Sequence, residues 1–351
     1  MIPNYKNIHN RSKINGFHLD KEAVFQLAYS LIKEGEVFEK DLGNFLLDWL
    51  DDKETIELMT SGTTGIPKTI TVSKQAMVNS AIATGNFFDL HPQDKALLCL
   101  PALYIAGKMM IVRALVIGLE LDLIAPTSSL DDLQSDKKYD FVALVPLQAE
   151  NSFDKLNQFK KIIIGGAKVS DDLAIKLKNR NADIYETYGM TETITHIAAK
   201  KIGEEYFEIL EHVTIATDDR NCLVINAPRI SDVSIITNDI VEIQNETQFK
   251  WLGRYDNVIN SGGIKLFPEQ IEAKLASVLS NRFFITGQPD AILGTKLVLV
   301  IEGKEQNIDN SIFNELDKFE KPKEIIFVSE FVETETKKLN RNKTIQKIKE
   351  D

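Results

Sequence analysis

A segment rich in Gly, Ser and Thr, with one lysine near its end, occupies residues 59–69 and constrains the fold of this chain more than any other feature. Thr55–Met59, just before it, is mostly β-branched or apolar, which predicts a short strand. Ser73, just after it, is a natural N-cap for the helical pattern that follows. A loop between a strand and a helix presents backbone N–H groups, hydroxyls and an ammonium group to an anion. We therefore predict a phosphate-binding loop.

The spacing of this segment also suggests the P-loop of nucleotide hydrolases, in which Gly, four residues and Gly-Lys-Ser/Thr follow one another. Gly62 begins that spacing and Lys68 with Thr69 ends it. Pro67, however, occupies the second glycine position, where its fixed φ and missing N–H are unfavourable. A Walker-type loop therefore fits poorly, and a plain polar surface loop is the other alternative.

The chain has 351 residues, enough for two domains, although one large domain is also compatible with this length. Its net charge is −11, from 41 Lys and Arg against 52 Asp and Glu. The sequence has no basic arm and no stripe of Lys and Arg, so nucleic-acid binding is disfavoured. Local donors must therefore hold any anionic ligand against the overall field.

The two cysteines, Cys99 and Cys222, stand far apart in apolar runs, and we expect both to be buried and reduced. The N-terminus has no apolar stretch of the kind found in a signal peptide. The most apolar segment, residues 109–125, is interrupted by three charged residues, so we expect no membrane insertion. These features predict a cytoplasmic protein.

Strand and helix patterns alternate between residues 55 and 186, after an irregular arm at residues 1–19 and two amphipathic helices. Such alternation predicts an α/β fold with a mainly parallel sheet and helices on its faces. Ligands of such sheets bind beyond the carboxyl ends of the strands. Three glycine-containing segments fall there, namely residues 60–68, Gly165-Gly166-Ala167 and Tyr188-Gly189-Met190-Thr191-Glu192. We expect them to converge at one edge of the sheet.

The pattern changes toward the C-terminus. Short strands between residues 194 and 252 predict a small, mostly antiparallel β-layer. A polar, glycine-rich boundary follows, and beyond it two helical patterns, one of them at residues 308–319, flank a strand. We therefore predict a large N-terminal domain, residues 1–255, and a small α+β domain, residues 256–351.

The first of these segments resembles the phosphate-binding signature of the acyl-adenylate-forming superfamily, which contains acyl-CoA synthetases, peptide-synthetase adenylation domains and luciferases. The resemblance implies that this loop holds the phosphates of ATP, through Thr60, Ser61, Gly62, Thr63, Thr64, Gly65 and Lys68. It also implies that Gly165, Gly166 and Ala167 line the nucleotide site.

Residues 188–192 resemble the aromatic-Gly-x-Thr-Glu motif of the same superfamily. The resemblance implies that Tyr188 and Gly189 line the nucleotide site and that the hydroxyl of Thr191 contacts a phosphate. Glu192 would hold Mg²⁺ against the triphosphate, since carboxylates are common magnesium ligands. Taken alone, Glu192 also fits a solvated surface carboxylate.

Thr237-Asn238-Asp239 stands where the superfamily carries a Thr-Gly-Asp segment, whose aspartate binds the ribose hydroxyls. Asp239 is therefore expected at the ribose. Asn238 replaces the glycine, and we expect the turn to persist because Asn tolerates left-handed backbone geometry. A plain β-turn is the alternative.

The segment from Gly253 to Glu272 resembles the superfamily's domain-junction motif. The resemblance implies that Arg254 contacts the nucleotide and that Asp256 is the hinge of a mobile C-terminal lid. Gly262 and Gly263 would allow the pantetheine arm of CoA to pass close to the backbone. The alternative is a structural turn.

Near the C-terminus, residues 334–341 resemble a Thr-x-x-Gly-Lys-x-x-Arg segment, although Lys337 replaces the usual glycine. Lys338 aligns with the lysine that enters the site during adenylation, and Arg341 with the closing arginine. The alternative is a charged, solvated tail.

Residues 100–107 resemble the superfamily's Leu-Pro…His…Gly segment, with Tyr104 at the position of the histidine. Tyr104 is a candidate for stacking on an aromatic acid, and Lys108 and Arg113 are candidates for pairing with a second carboxylate of that acid. The alternative is that both are ordinary cations near the start of a helix. With only about 55 residues before the phosphate loop, the chain resembles compact o-succinylbenzoate–CoA ligases of menaquinone biosynthesis, and we expect part of the usual N-terminal β-rich subdomain to be missing.

The resemblance implies an acid–CoA ligase that uses ATP, Mg²⁺ and coenzyme A. The acid attacks the α-phosphorus of ATP to give an acyl-adenylate and pyrophosphate, and the CoA thiolate then displaces AMP. Three alternatives remain open: acyl transfer to a carrier protein, hydrolysis of ATP to ADP, and nucleotide binding without catalysis. His91, His196 and His212 show no spacing typical of a site and are interpreted as structural. The sequence leaves the oligomeric state open, a homo-oligomer included.

The position of Lys338 leads to a first prediction. An ammonium group that enters the site in only one domain orientation should serve only one half-reaction. Lys338→Ala is expected to slow adenylation by about two to three orders of magnitude, the scale of removing one preorganised donor. Thioester formation from supplied acyl-adenylate should be largely spared, as measured by single-turnover assays of each half-reaction. Equal loss in both would contradict the assignment.

Overall fold

The computed structural model describes residues 3–59, 69–333 and 339–350. Its α-helices are α1 (Lys21–Glu34), α2 (Val37–Leu50), α3 (Lys74–Phe87), α4 (Ile105–Arg113), α5 (Pro146–Asn151), α6 (Asp171–Lys178), α7 (Pro268–Ala276) and α8 (Arg341–Glu350). A π-helical turn, Ala114–Gly118, continues α4, and short 3₁₀ turns follow several strands.

The strands fall into a first half and a second half of the chain. The first half contains β1 (Lys13–Ile14), β2 (Phe17–His18), β3 (Thr55–Met59), β4 (Thr69–Ser73), β5 (Lys95–Leu98), β6 (Glu120–Leu123), β7 (Tyr139–Leu144) and β8 (Phe159–Ile164). The second half contains β9 (Asp183–Gly189), β10 (His196–Lys201), β11 (Phe207–Ile209), β12 (Thr214–Thr217), β13 (Cys222–Asn226), β14 (Ile235–Asn245), β15 (Gln248–Arg254), β16 (Ile259–Ser261), β17 (Ile264–Leu266), β18 (Phe283–Asp290), β19 (Gly294–Glu302) and β20 (Glu324–Val328).

One sheet organises most of the molecule, in the order β12-β13-β14-β15-β11-β10-β9-β8-β7-β5-β6-β1-β2. Strands β9, β8, β7, β5, β6 and β1 run parallel. The predicted α/β class is confirmed, because helices join these parallel strands as crossovers. The antiparallel strands predicted as a small β-layer are hydrogen-bonded to this sheet, since β10 pairs antiparallel with β9. The parallel and antiparallel parts therefore form one continuous surface.

The N-terminal arm is more ordered than its polar composition suggests. β1 pairs with β6 at the edge of the large sheet, and β2 folds back on β1. Ile14 is completely buried, and Ser12 donates a hydrogen bond of 2.8 Å to the carbonyl of Ala114. The prediction of an irregular arm at residues 1–19 is therefore wrong for this part, because edge pairing supplies hydrogen bonds that sequence periodicity does not reveal.

The hairpin β3–β4 corrects the predicted surroundings of the phosphate loop. β3 and β4 pair antiparallel, with Met59 opposite Thr69, so residues 60–68 connect two strands rather than a strand and a helix. The helix begins one element later, at α3, where Ser73 accepts a hydrogen bond from the N–H of Ala76 as expected of an N-cap.

The C-terminal part has its own small sheets, β16–β17 and β18–β19–β20. Its buried apolar residues cluster with one another, from Ile259 onward, and not with those of the large sheet. The helix predicted for residues 308–319 is wrong: only Asn310–Phe313 forms a 3₁₀ turn. Asn and Ser compete with the helical backbone through local hydrogen bonds, as the side chain of Asp309 does with the N–H of Ser311. The division into domains 1–255 and 256–351 remains a prediction.

A search of the described residues finds no helix long and apolar enough to cross a membrane. Cys99 and Cys222 are both buried free thiols, as predicted.

A buried ion pair fixes the elements on either side of the β3–β4 hairpin. Lys74 at the start of α3 is completely buried, and its Nζ lies 2.6 Å from Oδ1 of Asp51 at the end of α2. The same Nζ donates a hydrogen bond of 3.1 Å to the Asp51 carbonyl. The hydrogen bond from Lys74 lowers the pKa of Asp51 below its usual value. The pair therefore joins α2 to α3.

This pair predicts a pH-dependent loss of stability. Asp51→Asn leaves the buried ammonium without its counter-charge, which we expect to cost about 2 kcal/mol, reduced from the usual loss because Asp51 is partly exposed. A carboxyl with a lowered folded-state pKa stabilises the protein above its unfolded pKa of about 3.9, and that contribution disappears as the pH falls through the folded value. The difference between wild type and variant should therefore be present at pH 7 and vanish in acid, as measured by urea unfolding at a series of pH values.

The matched control for this prediction is Asp183→Asn. Asp183 pairs with Lys201 at the same distance of 2.6 Å, but both side chains are about half exposed. Its loss should cost less than about 0.5 kcal/mol. Equal effects of the two substitutions would contradict a special role for the Lys74 pair.

Candidate active site

Two neighbouring parallel strands bring two of the predicted segments to one edge of the sheet. β8 and β9 are paired in register, with Ile164 opposite Glu186. Gly165, Gly166 and Ala167 therefore leave the sheet beside Thr187 and Tyr188. The expected convergence of these loops at the carboxyl ends of the strands is realised for this pair.

The loop after β9 is tightly built. A Cβ at Gly189 would lie 2.3 Å from the carbonyl oxygen of Thr195, so only glycine fits there. Thr193, completely buried, accepts a hydrogen bond of 2.9 Å from the N–H of Met190, and its hydroxyl lies 2.7 Å from the Thr195 carbonyl. Ile194 has a φ of 65°, which is a strained conformation for a β-branched residue. Strain of this kind concentrates at functional sites.

Thr191 and Glu192 lie in the 3₁₀ turn Thr191–Thr193 of this loop. Glu192 is exposed, and no residue in the described part of the chain forms an ion pair with it. Magnesium is usually held by one or two carboxylates together with substrate phosphates and water. A single free carboxylate therefore fits the ion, and the described residues contain no cluster of three or more His, Cys, Asp and Glu that would form a separate metal cage.

Asp239 is the centre of a polar cluster that joins the two parts of the sheet. The hydroxyl of Tyr188 in β9 donates a hydrogen bond of 2.7 Å to Oδ2 of Asp239 in β14. Trp251 Nε1 donates to Oδ1 at 3.2 Å, and Nη1 of Arg254 lies 3.6 Å from the same oxygen. Burial and the Asp239 charge raise the pKa of Tyr188 well above its usual value, so the phenol stays protonated and donates. Three predicted site residues, Tyr188, Asp239 and Arg254, therefore lie together.

The junction residue Asp256 lies next to this cluster. Its Oδ2 is 3.3 Å from Nη2 of Arg254 and accepts a hydrogen bond of 3.3 Å from Asn238. Asn238 lies inside strand β14, so the turn expected at this position is wrong, because β14 continues its pairing with β15 through Asp239. Asp256 itself lies in the 3₁₀ turn Tyr255–Asn257, and its role as a hinge remains a prediction.

Sequence reasoning missed two residues of this cluster. Trp251 lies on β15 among apolar residues and gave no motif signal, yet its indole holds Asp239. Arg220 donates to Oδ1 of Asn238 at 2.9 Å and to the carbonyl of Thr237 at 3.1 Å, and its guanidinium lies 5.1 Å from the Tyr255 ring centre. Trp251 comes from β15 and Arg220 from the turn between β12 and β13, and only the antiparallel pairing identifies them as neighbours of Asp239 and Asn238.

Gly262 and Gly263 form the two-residue turn between β16 and β17. Their φ values are 58° and 84°, the left-handed pair typical of a type I′ hairpin, in which glycine is strongly preferred. The turn by itself explains both glycines. Their predicted contact with CoA remains a prediction.

The three candidate substrate residues differ in their environments. Tyr104 is exposed and precedes α4. Lys108 is buried, and its Nζ donates to the carbonyls of Ala102 at 2.6 Å and Leu103 at 3.1 Å. Lys108 thus holds the loop after β5, and neither it nor Arg113 is the ordinary exposed cation of the alternative interpretation. Burial lowers the pKa of Lys108, against the opposing charges of Asp48 and Asp41.

Arg113 is a buried cation without a counter-ion among the residues that the structure describes. Its side chain is 1% exposed, and its Nε has no hydrogen-bond partner among the described residues. Nη2 donates at 3.4 Å to the hydroxyl of Thr195, and Nη1 makes only a weak contact of 3.5 Å with the sulfur of Met110. Burial lowers the pKa of Arg113 to about 9. A charged group in this state is costly unless an anion compensates it.

Several predicted residues lie outside the described part of the chain. These are Thr60, Ser61, Gly62, Thr63, Thr64, Gly65 and Lys68 of the phosphate loop, and Lys338 near the C-terminus. Arg341 is described: its Nη2 lies 2.7 Å from Glu272 and its Nη1 donates to the carbonyl of Ile285 at 3.2 Å.

Comparison with known proteins identifies one enzyme family. Residues 48–226, about half of the chain, match the model of the family described as AMP-binding enzyme. The chain is 26% identical over 297 residues to a 2-succinylbenzoate–CoA ligase of Haemophilus influenzae, covering 75% of this chain but only 64% of that protein. It is 24% identical to a 2-succinylbenzoate–CoA ligase of Listeria monocytogenes, covering 92% of this chain and 80% of the relative. The chain therefore spans less than two thirds of the length of the first relative.

Solved structures give a similar result. An acyl-CoA synthetase (AMP-forming)/AMP-acid ligase II-like protein from Dyadobacter fermentans is 35% identical, with a TM-score of 0.62, and 92% of this chain covers 98% of it. The o-succinylbenzoate coenzyme A synthetase of Bacillus subtilis, in complex with ATP and magnesium, is 18% identical, with a TM-score of 0.74, and 93% of this chain covers 82% of it. The second likeness is one of fold alone.

The Asp239 cluster predicts that the hydroxyl of Tyr188 contributes to the stability of the fold, whereas that of an exposed tyrosine does not. Tyr188→Phe removes the only hydroxyl donor described for Asp239 and leaves the carboxylate, 7% exposed, without it. We expect a loss of about 1–3 kcal/mol in the free energy of unfolding, the usual result of unpairing a buried acceptor. Chemical denaturation measures this loss.

Tyr206→Phe is the matched control. Tyr206 donates a similar hydrogen bond of 3.1 Å to Glu242, but on the exposed surface. This substitution should leave the free energy of unfolding nearly unchanged. A Tyr188→Phe variant as stable as this control would contradict the role given to the cluster.

Proposed function

We infer the function from the fact that this chain belongs to the AMP-binding enzyme family, and we propose that it is an ATP-dependent acid–CoA ligase acting through an acyl-adenylate. The observation that carries the proposal is the convergence of Tyr188, Asp239 and Arg254 at the carboxyl end of β9. This is the edge of a parallel sheet at which nucleotides bind. The neighbouring loop carries Thr191 and the free carboxylate of Glu192.

Asp239 is proposed to bind the ribose hydroxyls of ATP. Its two oxygens are oriented by Tyr188 and Trp251, which donate to opposite sides of the carboxylate. A carboxylate held in this way retains lone pairs for two vicinal hydroxyls. Arg254, 41% exposed at its side chain, is close enough to contact the nucleotide from the same strand pair.

In the first half-reaction, the carboxylate of the acid attacks the α-phosphorus of ATP and pyrophosphate leaves. The phosphate loop at residues 60–68 and Thr191 are proposed to hold the phosphates, and Lys338 to stabilise the charge that develops there. Mg²⁺, when bound through Glu192, would neutralise part of the phosphate charge. The reaction requires no side-chain nucleophile, which agrees with the absence of a Ser-His-Asp arrangement in the sequence.

In the second half-reaction, the thiolate of CoA attacks the acyl carbon and AMP leaves. We propose that the C-terminal segment reorients about Asp256 between the two steps, and that CoA approaches along Gly262 and Gly263. Such a change requires φ/ψ rotation at few residues. The contact between α7 and β15 at this junction includes a hydrogen bond of 2.8 Å from Gln270 Nε2 to the Leu252 carbonyl.

We propose that the acid carries a second carboxylate that pairs with Arg113. The guanidinium is buried, has no described counter-ion, and reaches the loop after β9 through Thr195. A carboxylate that enters this environment would form a charge-assisted contact of more than ordinary strength. The named relatives act on 2-succinylbenzoate, an aromatic acid with a second carboxylate, and this supports the same class of substrate here. We propose Arg113 for this role rather than Lys108, since two backbone carbonyls already accept hydrogen bonds from the Lys108 ammonium group.

A panel of acids tests the proposal. We expect pyrophosphate release and CoA-dependent thioester formation with o-succinylbenzoate, at a kcat/KM well above that for benzoate or medium-chain fatty acids. Arg113→Met should raise the KM for o-succinylbenzoate by about tenfold or more and leave that for benzoate unchanged, because the contact lies away from the reacting carboxylate. If fatty acids or amino acids give the higher kcat/KM, the proposed class of substrate is wrong. If pyrophosphate is released but product formation does not depend on CoA, the proposal that CoA is the acceptor is wrong.

Stability supplies the control for this experiment. Removing an uncompensated buried charge is neutral or stabilising, so Arg113→Met should have an unfolding temperature equal to or above that of wild type. Lys108→Met leaves two buried carbonyls without their donor and should instead lower it. The opposite order of unfolding temperatures would show that Arg113 stabilises the fold and does not serve to bind a ligand.

A further inference from the structure

A buried chain of hydrogen bonds leads away from Arg113 into the protein. Nη2 of Arg113 donates to Thr195 Oγ1 at 3.4 Å, and Thr195 Oγ1 lies 3.3 Å from Nδ1 of His196. On the other side of the ring, Nε2 of His196 lies 3.3 Å from Oγ1 of Thr84 in α3. The hydroxyl of Thr84 lies 2.9 Å from the carbonyl oxygen of Ser80. The mechanism above uses none of these groups except Arg113.

The donors and acceptors in this chain have only one consistent direction. Arginine can only donate, so Thr195 accepts from it and has its own proton free for Nδ1 of His196. The Ser80 carbonyl can only accept, so Thr84 donates to it and must accept from Nε2–H of His196. The two ends therefore specify the tautomer of His196 that carries its proton on Nε2.

His196 has no access to another state inside the protein. It is 5% exposed and packs edge-on against the ring of Phe88, with ring centres 5.8 Å apart. Burial, together with the charge of Arg113, holds the pKa of His196 well below its usual value. The imidazole is therefore neutral and can accept from Thr195. Its interpretation as a merely structural residue, made from the sequence, omitted these partners.

We propose that Thr195, His196 and Thr84 are positioning residues that fix the orientation of the Arg113 guanidinium for an incoming carboxylate. Thr195 is the only oxygen acceptor that Arg113 has among the described residues, since its Nε is unpartnered and Nη1 meets only sulfur. One hydrogen bond at Nη2 sets the rotation of the guanidinium plane and leaves Nε and Nη1 to the ligand. The inference rests on the proposed role of Arg113 and extends it to the selection of acids.

The hydrogen-bond chain from Arg113 to Thr84 also connects the proposed acid site to the loop after β9. Thr195 follows Glu192 by three residues, and its carbonyl is the atom that Gly189 and Thr193 approach closely. The same residue thus touches Arg113 with its side chain and supports the loop after β9 with its backbone. An acid bound to Arg113 would therefore have a fixed position relative to that loop.

Imidazole ¹⁵N NMR tests the hydrogen-bond directions without any substrate. In the full chain labelled at its five histidines, the signal of His196 is identified by its loss in His196→Gln. We expect a neutral ring protonated on Nε2 throughout pH 6–8. Thr195→Val should shift the Nδ1 resonance toward that of a free acceptor and leave the tautomer unchanged. A His196 ring that is protonated on Nδ1, or charged within this pH range, would contradict the proposed hydrogen-bond chain.

Kinetics with two acids test its role in selection. Thr195→Val should raise the KM for o-succinylbenzoate by about tenfold, the equivalent of one hydrogen bond to a charged group, with kcat and the KM for benzoate unchanged. Thr195→Ser, which keeps the hydroxyl, should restore wild-type values. Ser80→Ala is the control, because its buried hydroxyl has no partner in the described part of the chain and its removal leaves the backbone acceptor in place.

The two measurements separate the possible failures. If the wild type activates no dicarboxylic acid, the proposed function is wrong. The NMR result then still decides whether the hydrogen-bond chain through His196 exists. If the wild type prefers o-succinylbenzoate but Thr195→Val raises the KM for both acids equally, or for neither, the positioning role is overturned while the function stands.

Discussion

The hydrogen bond between Tyr188 and Asp239 links the parallel and antiparallel parts of the large sheet, and the proposed nucleotide site depends on it. Tyr188 lies near the end of a strand of the parallel part, and Asp239 lies in the antiparallel part, so their 2.7 Å contact crosses between the two parts at the proposed nucleotide site. A buried carboxylate needs donors, and the site supplies them from Tyr188, Trp251 and Arg254. The proposed ribose contact therefore depends on packing that the sheet itself provides.

The second constraint is a charge that the described structure does not neutralise. Burying the guanidinium of Arg113 costs free energy, and the surrounding residues offer only a hydroxyl and a thioether. The fold elsewhere pairs its buried cations, as Lys74 with Asp51 and Lys108 with two carbonyls. The contrast supports the proposal that Arg113 recognises a ligand. The hydroxyl and imidazole groups behind it are neutral, so they orient the charge without cancelling it.

Much of the fold followed from local patterns. The strands and helices around the parallel part were predicted because a buried parallel strand is a short apolar run and a packed helix repeats every 3.6 residues. The cap at Ser73 was visible for the same reason, since a cap is a short-range interaction. The edge pairing of β1 was missed, because its partner β6 lies far away in the sequence. Strand β4 was missed as well, although its partner β3 is the preceding strand of the chain.

By itself, the sequence determined the fold class, the family resemblance and the positions of the loops at the strand ends, since these depend on residue type and spacing. Only the tertiary structure distinguished Lys108 from Arg113, because both are single cations on one helix and differ only in what surrounds them. It likewise gave His196 its partners, which come from α3 and from the neighbouring hydroxyl of Thr195. Burial and the direction of a hydrogen bond are properties of packed neighbours, and a linear sequence does not contain them.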